Sequence, residues 1–150
     1  MERLARFIGT TFYSGYSKWA PGTVGSAVAC LPLWIFPNFR HMDLLLITFI
    51  IYFVGVWAAT RVEIQTQKHD AGMINIDEVA GMFVSVLFLD RTGNWFWIGV
   101  AFFAFRLFDI VKPWPANVSQ NLPRGWGVMT DDIIAGIYTN ILLRVIFHFV

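Results

Sequence analysis

The sequence predicts an all-α fold, a compact multi-helix bundle that is membrane-embedded or membrane-associated. Apolar residues make up 57% of the 150 residues and charged residues only 14%, whereas typical soluble domains have about 45–50% and about 25%. A soluble domain of this size exposes too much surface to bury so much apolar area, so part of the exterior is expected to face lipid. Little of the chain alternates with a period of two, which favours helices over strands. The length is that of a single domain, residues 1–150.

Five apolar runs, separated by polar segments that carry Gly and Pro, predict the helices: 24–37, 44–60, 79–89, 95–108 and 133–150. The run 44–60 is uncharged and, at about 1.5 Å per residue, nearly crosses a hydrocarbon core of about 30 Å. The run 133–150 is also long enough, while 24–37 and 79–89 are too short to span. The run 79–89 suits a re-entrant or obliquely buried helix. Segment 114–130, with two Pro, two Gly and two Trp, is typical of an irregular loop.

The basic residues predict a topology. If residues 1–23 are cytosolic and each apolar run crosses the membrane, or enters it and returns, then segments 61–78 and 109–132 are cytosolic too. That face collects most of the basic side chains, namely Arg3, Arg6, Lys18, Arg61, Lys68, Lys112 and Arg124. The opposite turns carry only Arg40 and Arg91, which agrees with the positive-inside tendency. The acidic clusters described below then lie together at the cytosolic surface.

Net charge, cysteine content and missing motifs exclude several classes of protein. A formal net charge of +1 gives no electrostatic footprint for nucleic acid. Cys30 is the single cysteine, so a disulfide framework or a paired redox motif is excluded. No G-x-S-x-G motif, no Cys in a C-x5-R loop and no D-x-D-x-[TV] motif occurs, so metal-assisted attack by water is the simplest remaining route for a phosphatase. The sequence does not indicate an oligomeric state.

Three acidic stretches are the predicted centre of chemistry. The chain has ten Asp and Glu residues, and five of them lie in segments 76–81, 105–113 and 130–136: Asp77, Glu78, Asp109, Asp131 and Asp132. Each stretch borders an apolar run, where burial penalises a carboxylate that has no cationic partner. A divalent metal and a phosphate-bearing substrate explain the pattern, because Mg²⁺ prefers carboxylate oxygens together with water and phosphate.

The first and third stretches share a pattern. Asp77 and Gly81, like Asp132 and Gly136, are four residues apart and so share a helix face. The repeated D-x-x-A-G sequence suggests two similar helix starts that face each other, with room beside each carboxylate for a second helix, a metal or a phosphate. Capping is an equally open interpretation for either stretch alone, because acids favour the first helical turn and Thr130 is a good N-cap residue.

The basic residues near the acids have two interpretations. Arg106, Asp109 and Lys112 recur every three residues along one helix face, which Pro113 ends. They form either a local salt-bridge ladder or a site in which Asp109 binds a metal and the cations hold a phosphate. The segment 14–26 is either a set of turns or a Gly-bearing loop whose helix start, at Gly22 and Thr23, binds an anion.

His69 and Glu63, which precede the first acidic pair, have less specific interpretations. His69 is expected to be a solvent-facing loop residue rather than a general base. Glu63 suits a further metal ligand or, equally, a surface charge beyond a helix end.

Four blocks resemble bacterial phosphatidylglycerophosphatase A, in the order and spacing of that family and across nearly the whole chain. They are Ser14-Gly15 with Pro21-Gly22-Thr23-Val24-Gly25-Ser26, Asp70 with Ile76-Asp77-Glu78-Val79-Ala80-Gly81-Met82, Phe105-Arg106-Leu107-Phe108-Asp109 with Lys112-Pro113-Trp114-Pro115, and Gly125 with Gly127-Val128-Met129-Thr130-Asp131-Asp132 and Ala135-Gly136. The resemblance implies an all-helical, Mg²⁺-dependent lipid phosphatase of the bacterial inner membrane. Its phospholipid substrate is phosphatidylglycerol phosphate, and its products are phosphatidylglycerol and inorganic phosphate. Asn75 departs from the apolar residue expected before the first acidic pair.

The resemblance also suggests roles for the residues. Asp77, Asp131 and Asp132, assisted by Asp109, are expected to hold one or two Mg²⁺. Glu78 is expected to orient or deprotonate water, so that Glu78, Asp77 and Asp132 are the catalytic residues. The phosphate is expected to be held by Lys112, Arg106, Gly22 and Thr23.

Two other functions stay open at this point. One is a metal-dependent phosphatase that acts on another lipid phosphate or on a soluble phosphate. The other is a membrane carrier, not an enzyme, whose carboxylates move protons or cations. A carrier predicts acids in the middle of helices, whereas the acids of this chain lie near the ends of the apolar runs.

Overall fold

The computed structural model describes residues 1–36, 40–90 and 94–149, and all regular structure in those ranges is helical. The α-helices are α1 (Glu2–Gly9), α2 (Pro21–Ile35), α3 (His41–Thr66), α4 (Ile76–Val86), α5 (Trp95–Val111), α6 (Ala116–Ser119) and α7 (Gly125–Phe149). A single 3-10 turn, Ser14–Tyr16, connects α1 to α2. The all-α prediction is therefore confirmed. Arg91, which supported the predicted topology, lies outside the described residues, as do residue 37 of the first predicted run and residue 150 of the last.

Helix α4 is the central element of the bundle and contacts α2, α3, α5 and α7. Ten of its eleven residues are buried, and they include apolar side chains such as Met82 and Val86 as well as the acids of its first turn. A short helix that is apolar on almost every side is stable only when protein surrounds it. Residues 79–86 of the predicted run are thus part of a helix buried in the bundle, and the first turn of that helix places two carboxylates inside the fold.

The prediction of an irregular loop over 114–130 is wrong. This segment contains α6, and α7 already begins at Gly125. Gly125 and Gly127 do not break the helix, because they allow close packing: a Cβ on Gly125 would lie 2.8 Å from the Thr60 nitrogen, and one on Gly127 would lie 2.6 Å from the Gln120 carbonyl oxygen. Thr130 is accordingly inside α7 instead of at its N-cap, and its hydroxyl lies 2.9 Å from the Tyr52 hydroxyl.

Two helices, α3 and α7, are long and apolar enough to cross a membrane by length and composition. Large apolar side chains on α3, α5 and α7 face outwards, among them Leu46, Phe49, Ile50, Phe103, Ile110, Ile137, Ile141 and Val145. An exterior with this many exposed apolar side chains is typical of a surface that contacts lipid or another apolar partner. The exterior therefore agrees with the predicted membrane association.

Candidate active site

The start of α4 is anchored by a buried asparagine. Asn75, which is 0% exposed, precedes α4, and its side-chain amide donates to the Ser14 hydroxyl at 2.9 Å and to the Pro21 carbonyl at 3.4 Å. Its backbone N–H donates to the Gly9 carbonyl at 3.0 Å. An apolar side chain at this position has no donor to make the two side-chain bonds. The departure at Asn75 therefore has a structural role, which is to tie the acidic first turn of α4 to the starts of α2 and of the 3-10 turn.

A glycine pair brings α7 against α4. A Cβ on Gly81 would lie 2.6 Å from the Asp132 carbonyl oxygen, and a Cβ on Gly136 would overlap the Gly81 carbonyl oxygen. The two D-x-x-A-G segments thus face each other, and the space beside each carboxylate accommodates the other helix. Only the first segment is a helix start, since Asp132 lies in the second turn of α7.

Asp77, Glu78 and Asp132 form a buried carboxylate triad, in which one oxygen from each residue lies within 4.8 Å of the others. Each residue also has one buried oxygen without a hydrogen-bond partner within the described part of the chain: Asp77 Oδ1, Glu78 Oε2 and Asp132 Oδ2. Three unpaired carboxylates at this separation are unfavourable unless protons or a cation neutralise them. The all-oxygen donor set and the unpaired oxygens fit a hard divalent cation such as Mg²⁺.

The pKa values of the two acids on α4 reflect this crowding. Burial raises the pKa of Asp77 well above its usual range, and the negative charges of Glu78 and Asp132 raise it further. Burial also raises the pKa of Glu78, although a hydrogen bond from Asp77 opposes part of that change. The cation-free site therefore retains protons at pH values where exposed carboxylates are fully ionised.

Arg106 and Asp109 adjoin the triad from the last turns of α5. The Arg106 guanidinium hydrogen-bonds to the Asp109 carboxylate through Nη1, and the same nitrogen lies 3.9 Å from Glu78 Oε1. Arg106 Nε is buried, with no hydrogen-bond partner among the described residues. Asp109 also lies beside Asp132. Arg106 thus connects Asp109 to the triad and still has a donor available for a ligand.

Lys112 and Asp131 form a second pair at the edge of the triad. Helix α5 ends at Val111, so Lys112 does not continue the helix face as predicted; its left-handed backbone, with φ of 44°, turns the chain there. Lys112 Nζ lies 2.5 Å from Asp131 Oδ2, and the Gln120 amide donates to the same oxygen at 2.9 Å. Burial lowers the pKa of Lys112, but the Asp131 hydrogen bond and the surrounding carboxylates outweigh it and raise the pKa overall. Lys112 therefore remains a cation.

The start of α2 borders the triad from the opposite side. A Cβ on Gly22 would overlap the Glu78 carboxylate and lie 3.0 Å from Arg106 Nη1, so only glycine allows this approach. The N–H groups of Gly22 and Thr23 belong to the first helical turn, which has no helical acceptor for them. Helix starts of this kind bind anions, and here the N–H groups lie beside a guanidinium. Gly22 and Thr23 therefore lie at a helix start and not in a turn, and their role in anion binding stays a prediction.

Glu63 and His69 form a separate pair outside the triad. Glu63 is 7% exposed, so the prediction of a surface charge is wrong. Its carboxylate accepts the Asp70 N–H at 2.7 Å and lies 2.8 Å from His69 Nδ1, while His69 Nε2 lies 3.1 Å from the Gln120 carbonyl. The Gln120 carbonyl, and then Glu63, raise the pKa of His69. His69 is exposed, as predicted, and its two ring nitrogens lie within hydrogen-bond distance of Glu63 and of the Gln120 carbonyl, so it connects Glu63 to the Gln120 segment.

The structure therefore unites the residues that the sequence singled out and divides them into two sets. The carboxylates of Asp77, Glu78 and Asp132 keep unpaired oxygens, whereas those of Asp109 and Asp131 already bind cationic side chains. The predicted ligand set included Asp109 and Asp131 and placed Glu78 apart as the base. Sequence reasoning missed Gln120, which sits in a polar segment that has no motif around it.

Comparison with known proteins adds independent information. The sequence model of the family described as phosphatidylglycerophosphatase A matches residues 7–147. The chain is 35% identical to the phosphatidylglycerophosphatase A of Escherichia coli, over 91% of this chain and 80% of that protein, and 35% identical to that of Haemophilus influenzae, over 88% and 82%. It is 38% identical to a Bacteroides thetaiotaomicron protein provisionally named a phosphatidylinositol-3-phosphatase, over 92% and 90%. No solved structure matches the chain.

Proposed function

This chain belongs to the phosphatidylglycerophosphatase A family, and we propose that it hydrolyses phosphatidylglycerol phosphate to phosphatidylglycerol and inorganic phosphate. The observation that carries the proposal is the contact between a carboxylate triad with three unpaired oxygens and the corner formed by Gly22 and Arg106, which is the proposed phosphate corner. The first group suits a divalent cation and the second suits a phosphate. Basic residues on the predicted cytosolic segments support a site at the cytosolic face of the bacterial inner membrane.

The triad is the proposed magnesium site. Asp77 and Asp132, with Glu78 beside them, would hold Mg²⁺, which supplies Lewis-acid polarisation of the phosphoryl group and offsets its developing negative charge. Asp109 and Asp131 are assigned a different role from the one expected, because Arg106 and Lys112 occupy their oxygens. These two acids orient the cations that face the substrate.

The remaining residues act on the phosphate and on water. Arg106 and the N–H groups of Gly22 and Thr23 bind the phosphoryl oxygens, and Lys112 adds positive charge at the edge. Glu78 is the member of the triad that lies against Gly22 of the phosphate corner, which suits a general base placed beside both the metal and the phosphate. Glu78 therefore accepts a proton as water attacks phosphorus. The P–O ester bond then breaks, and the departing lipid alkoxide takes up the proton that Glu78 accepted, so that it leaves as the alcohol.

A second substrate class is suggested by the Bacteroides relative, whose name specifies a phosphoinositide. Both candidate lipids present a phosphate monoester on an alcohol headgroup, which the same corner would bind. The headgroup is expected to be selected by side chains at the rim of the site, such as those of Lys112 and Gln120.

The test is phosphate release by the purified protein in detergent micelles. We expect hydrolysis of phosphatidylglycerol phosphate with Mg²⁺, loss of hydrolysis with excess chelator, and recovery when Mg²⁺ is restored. Phosphatidylinositol 3-phosphate and a soluble glycerol phosphate, assayed in parallel, distinguish the headgroups. Activity that survives chelation would remove the metal from the mechanism. Cation or proton flux into liposomes without phosphate release would favour the carrier.

A further inference from the structure

A groove that the proposed chemistry does not use lies between α2 and α5. It has a volume of about 340 Å³ and is lined almost entirely by apolar side chains, among them Ala27, Leu31 and Trp34 of α2 and Trp95, Ile98 and Phe102 of α5. Its rim is exposed, with Leu31 and Trp34 at 51% and 62%. The groove thus opens on the same apolar exterior that is expected to face lipid.

The groove begins close to the phosphate corner. Helices α2 and α5 run antiparallel, because Gly22 lies against Arg106 at one end while Trp34 and Trp95 line the groove together at the other. Phe102 is four residues before Arg106, and Ala27 is five residues after Gly22. At about 1.5 Å per residue, the groove therefore begins about 6–8 Å from the residues that face the phosphate.

The dimensions of the groove match part of one lipid chain. From Ala27 to Trp34 the groove follows α2 for about 10 Å. One leaflet of a bilayer provides about 15 Å of hydrocarbon, half of a core of about 30 Å. An acyl chain that descends from a headgroup at the phosphate corner would therefore enter the groove and remain within one leaflet.

We propose that the α2–α5 groove binds one acyl chain of the lipid phosphate while the phosphate monoester lies at Gly22 and Arg106. The proposal rests on the proposed function, since it assigns a second part of the same substrate. An acyl chain that enters the groove comes from the apolar interior of the bilayer, so its contribution to the binding free energy does not arise from removal of apolar surface from water. Packing between the two helices instead fixes the depth of the headgroup relative to the triad, which is a positioning effect.

Gly99 allows the groove to be filled without disturbing the protein. It lines the groove, and a Cβ added there meets no atom within 4 Å. The side chains introduced by Gly99→Leu and Gly99→Trp should fill the space that the acyl chain would occupy. Gly99→Ala controls for helix propensity, and Phe103→Trp adds bulk one turn away, at a 73% exposed position that does not line the groove.

The kinetic test compares a long-chain phosphatidylglycerol phosphate with its water-soluble deacylated headgroup. We expect Gly99→Trp to raise KM for the long-chain lipid at least tenfold, Gly99→Leu to raise it less, and both to leave the kinetics of the headgroup within twofold. Gly99→Ala and Phe103→Trp should match the wild type on both substrates. Equal kinetics for Gly99→Trp and wild type on the long-chain lipid would overturn the groove assignment.

A crosslinking test on the wild-type protein avoids any dependence on the folding of variants. The probe is phosphatidylglycerol phosphate with a diazirine in one acyl chain. We expect labelled peptides from α2 and α5, reduced by excess unlabelled substrate and not by phosphatidylcholine. Labelling spread over α3 and α7 and insensitive to competition would overturn the groove. Hydrolysis by the wild type is scored separately, so a failed activity with specific labelling of α2 and α5 counts against the proposed function alone.

Discussion

Asp77→Asn is expected to make the cation-free protein more stable while it abolishes activity. The substitution keeps the shape of the side chain and removes one negative charge from the buried triad. Ligand oxygens of the triad lie within 4.8 Å of one another, and two unit charges at about that distance repel by about 3–4 kcal/mol at an effective dielectric constant of about 20. Relief of this repulsion should raise the free energy of unfolding when no metal is bound.

The realised gain is smaller than the full Coulomb energy. Because the pKa of Asp77 is raised by burial and by its neighbours, protonation already relieves part of the repulsion in the wild type near neutral pH. We expect a gain of about 1–3 kcal/mol at pH 8, which corresponds to a rise in Tm of about 2–4 °C for each kcal/mol in a chain of this size.

The assay combines thermal unfolding with phosphate release. Without Mg²⁺, the Asp77→Asn protein should unfold at a higher temperature than the wild type. With Mg²⁺, the wild type should gain stability by mass action and the variant should not. Hydrolysis should fall at least about 100-fold, equivalent to about 2.7 kcal/mol of transition-state stabilisation. Asp43→Asn, at an exposed carboxylate in the first turn of α3, is the matched control and should leave activity and the Mg²⁺ response unchanged.

Two results would refute this reasoning. A rate within threefold of the wild type would mean that Asp77 is not needed to hold the ion. A lower Tm for the cation-free variant would mean that repulsion within the triad is not the dominant energy at this site.

Two further predictions concern the triad and the phosphate corner, and a third concerns the other end of α4. The folded-state pKa values of Asp77 and Glu78 are raised, so the stability that their protonated forms contribute is fully present below about pH 4 and is lost as the pH rises through the raised pKa values. Denaturant unfolding of the metal-free protein should therefore give a larger free energy of unfolding near pH 5 than near pH 8. Mg²⁺ should reduce this difference. Gly22→Ala should lower hydrolysis at least tenfold, because its Cβ meets the Glu78 carboxylate and Arg106 and must displace them; a wild-type rate would place the phosphate elsewhere. Asn140→Leu should lower the free energy of unfolding by about 1–3 kcal/mol, since the Asn140 amide donates to three carbonyls near the end of α4 at 2.8–3.2 Å. Asn121→Leu, at an exposed position, is the control. An equal loss in both variants would contradict a stabilising role for the Asn140 hydrogen bonds.

The helical class was predictable because it depends on local properties of the chain. Apolar residues in long runs without alternation leave few alternatives to helices, and the run 44–60 and the described part of the last run, residues 133–149, both lie inside observed helices. The acidic residues were predictable for a related reason. In a chain with ten carboxylates, three acidic stretches that border apolar runs are costly without a cationic partner.

The error over 114–130 shows where local reasoning fails. Glycine usually weakens a helix because of its conformational entropy, so Gly125 and Gly127 suggested a loop. In the fold, both glycines lie against neighbouring backbone atoms, where a side chain would overlap. The packing of α7 on α3 and on the α6 segment therefore outweighs the propensity of these residues. The same packing moves Asp131 and Asp132 from an expected first turn into the second.

The sequence by itself determined the helical class, the acids and cations that form the site, and the kinship with a family of lipid phosphatases. These features are carried by residue identity and short spacing along the chain. Only the tertiary structure decided which carboxylates keep unpaired oxygens and that Lys112 binds Asp131. The triad is made by α4 and α7, and Lys112 follows α5 while Asp131 lies on α7, whereas the Arg106–Asp109 pair is local to α5. Whether a carboxylate can bind a metal depends on the distances between helices, and those distances are set by the glycine contacts between α4 and α7 and by the buried hydrogen bonds of Asn75.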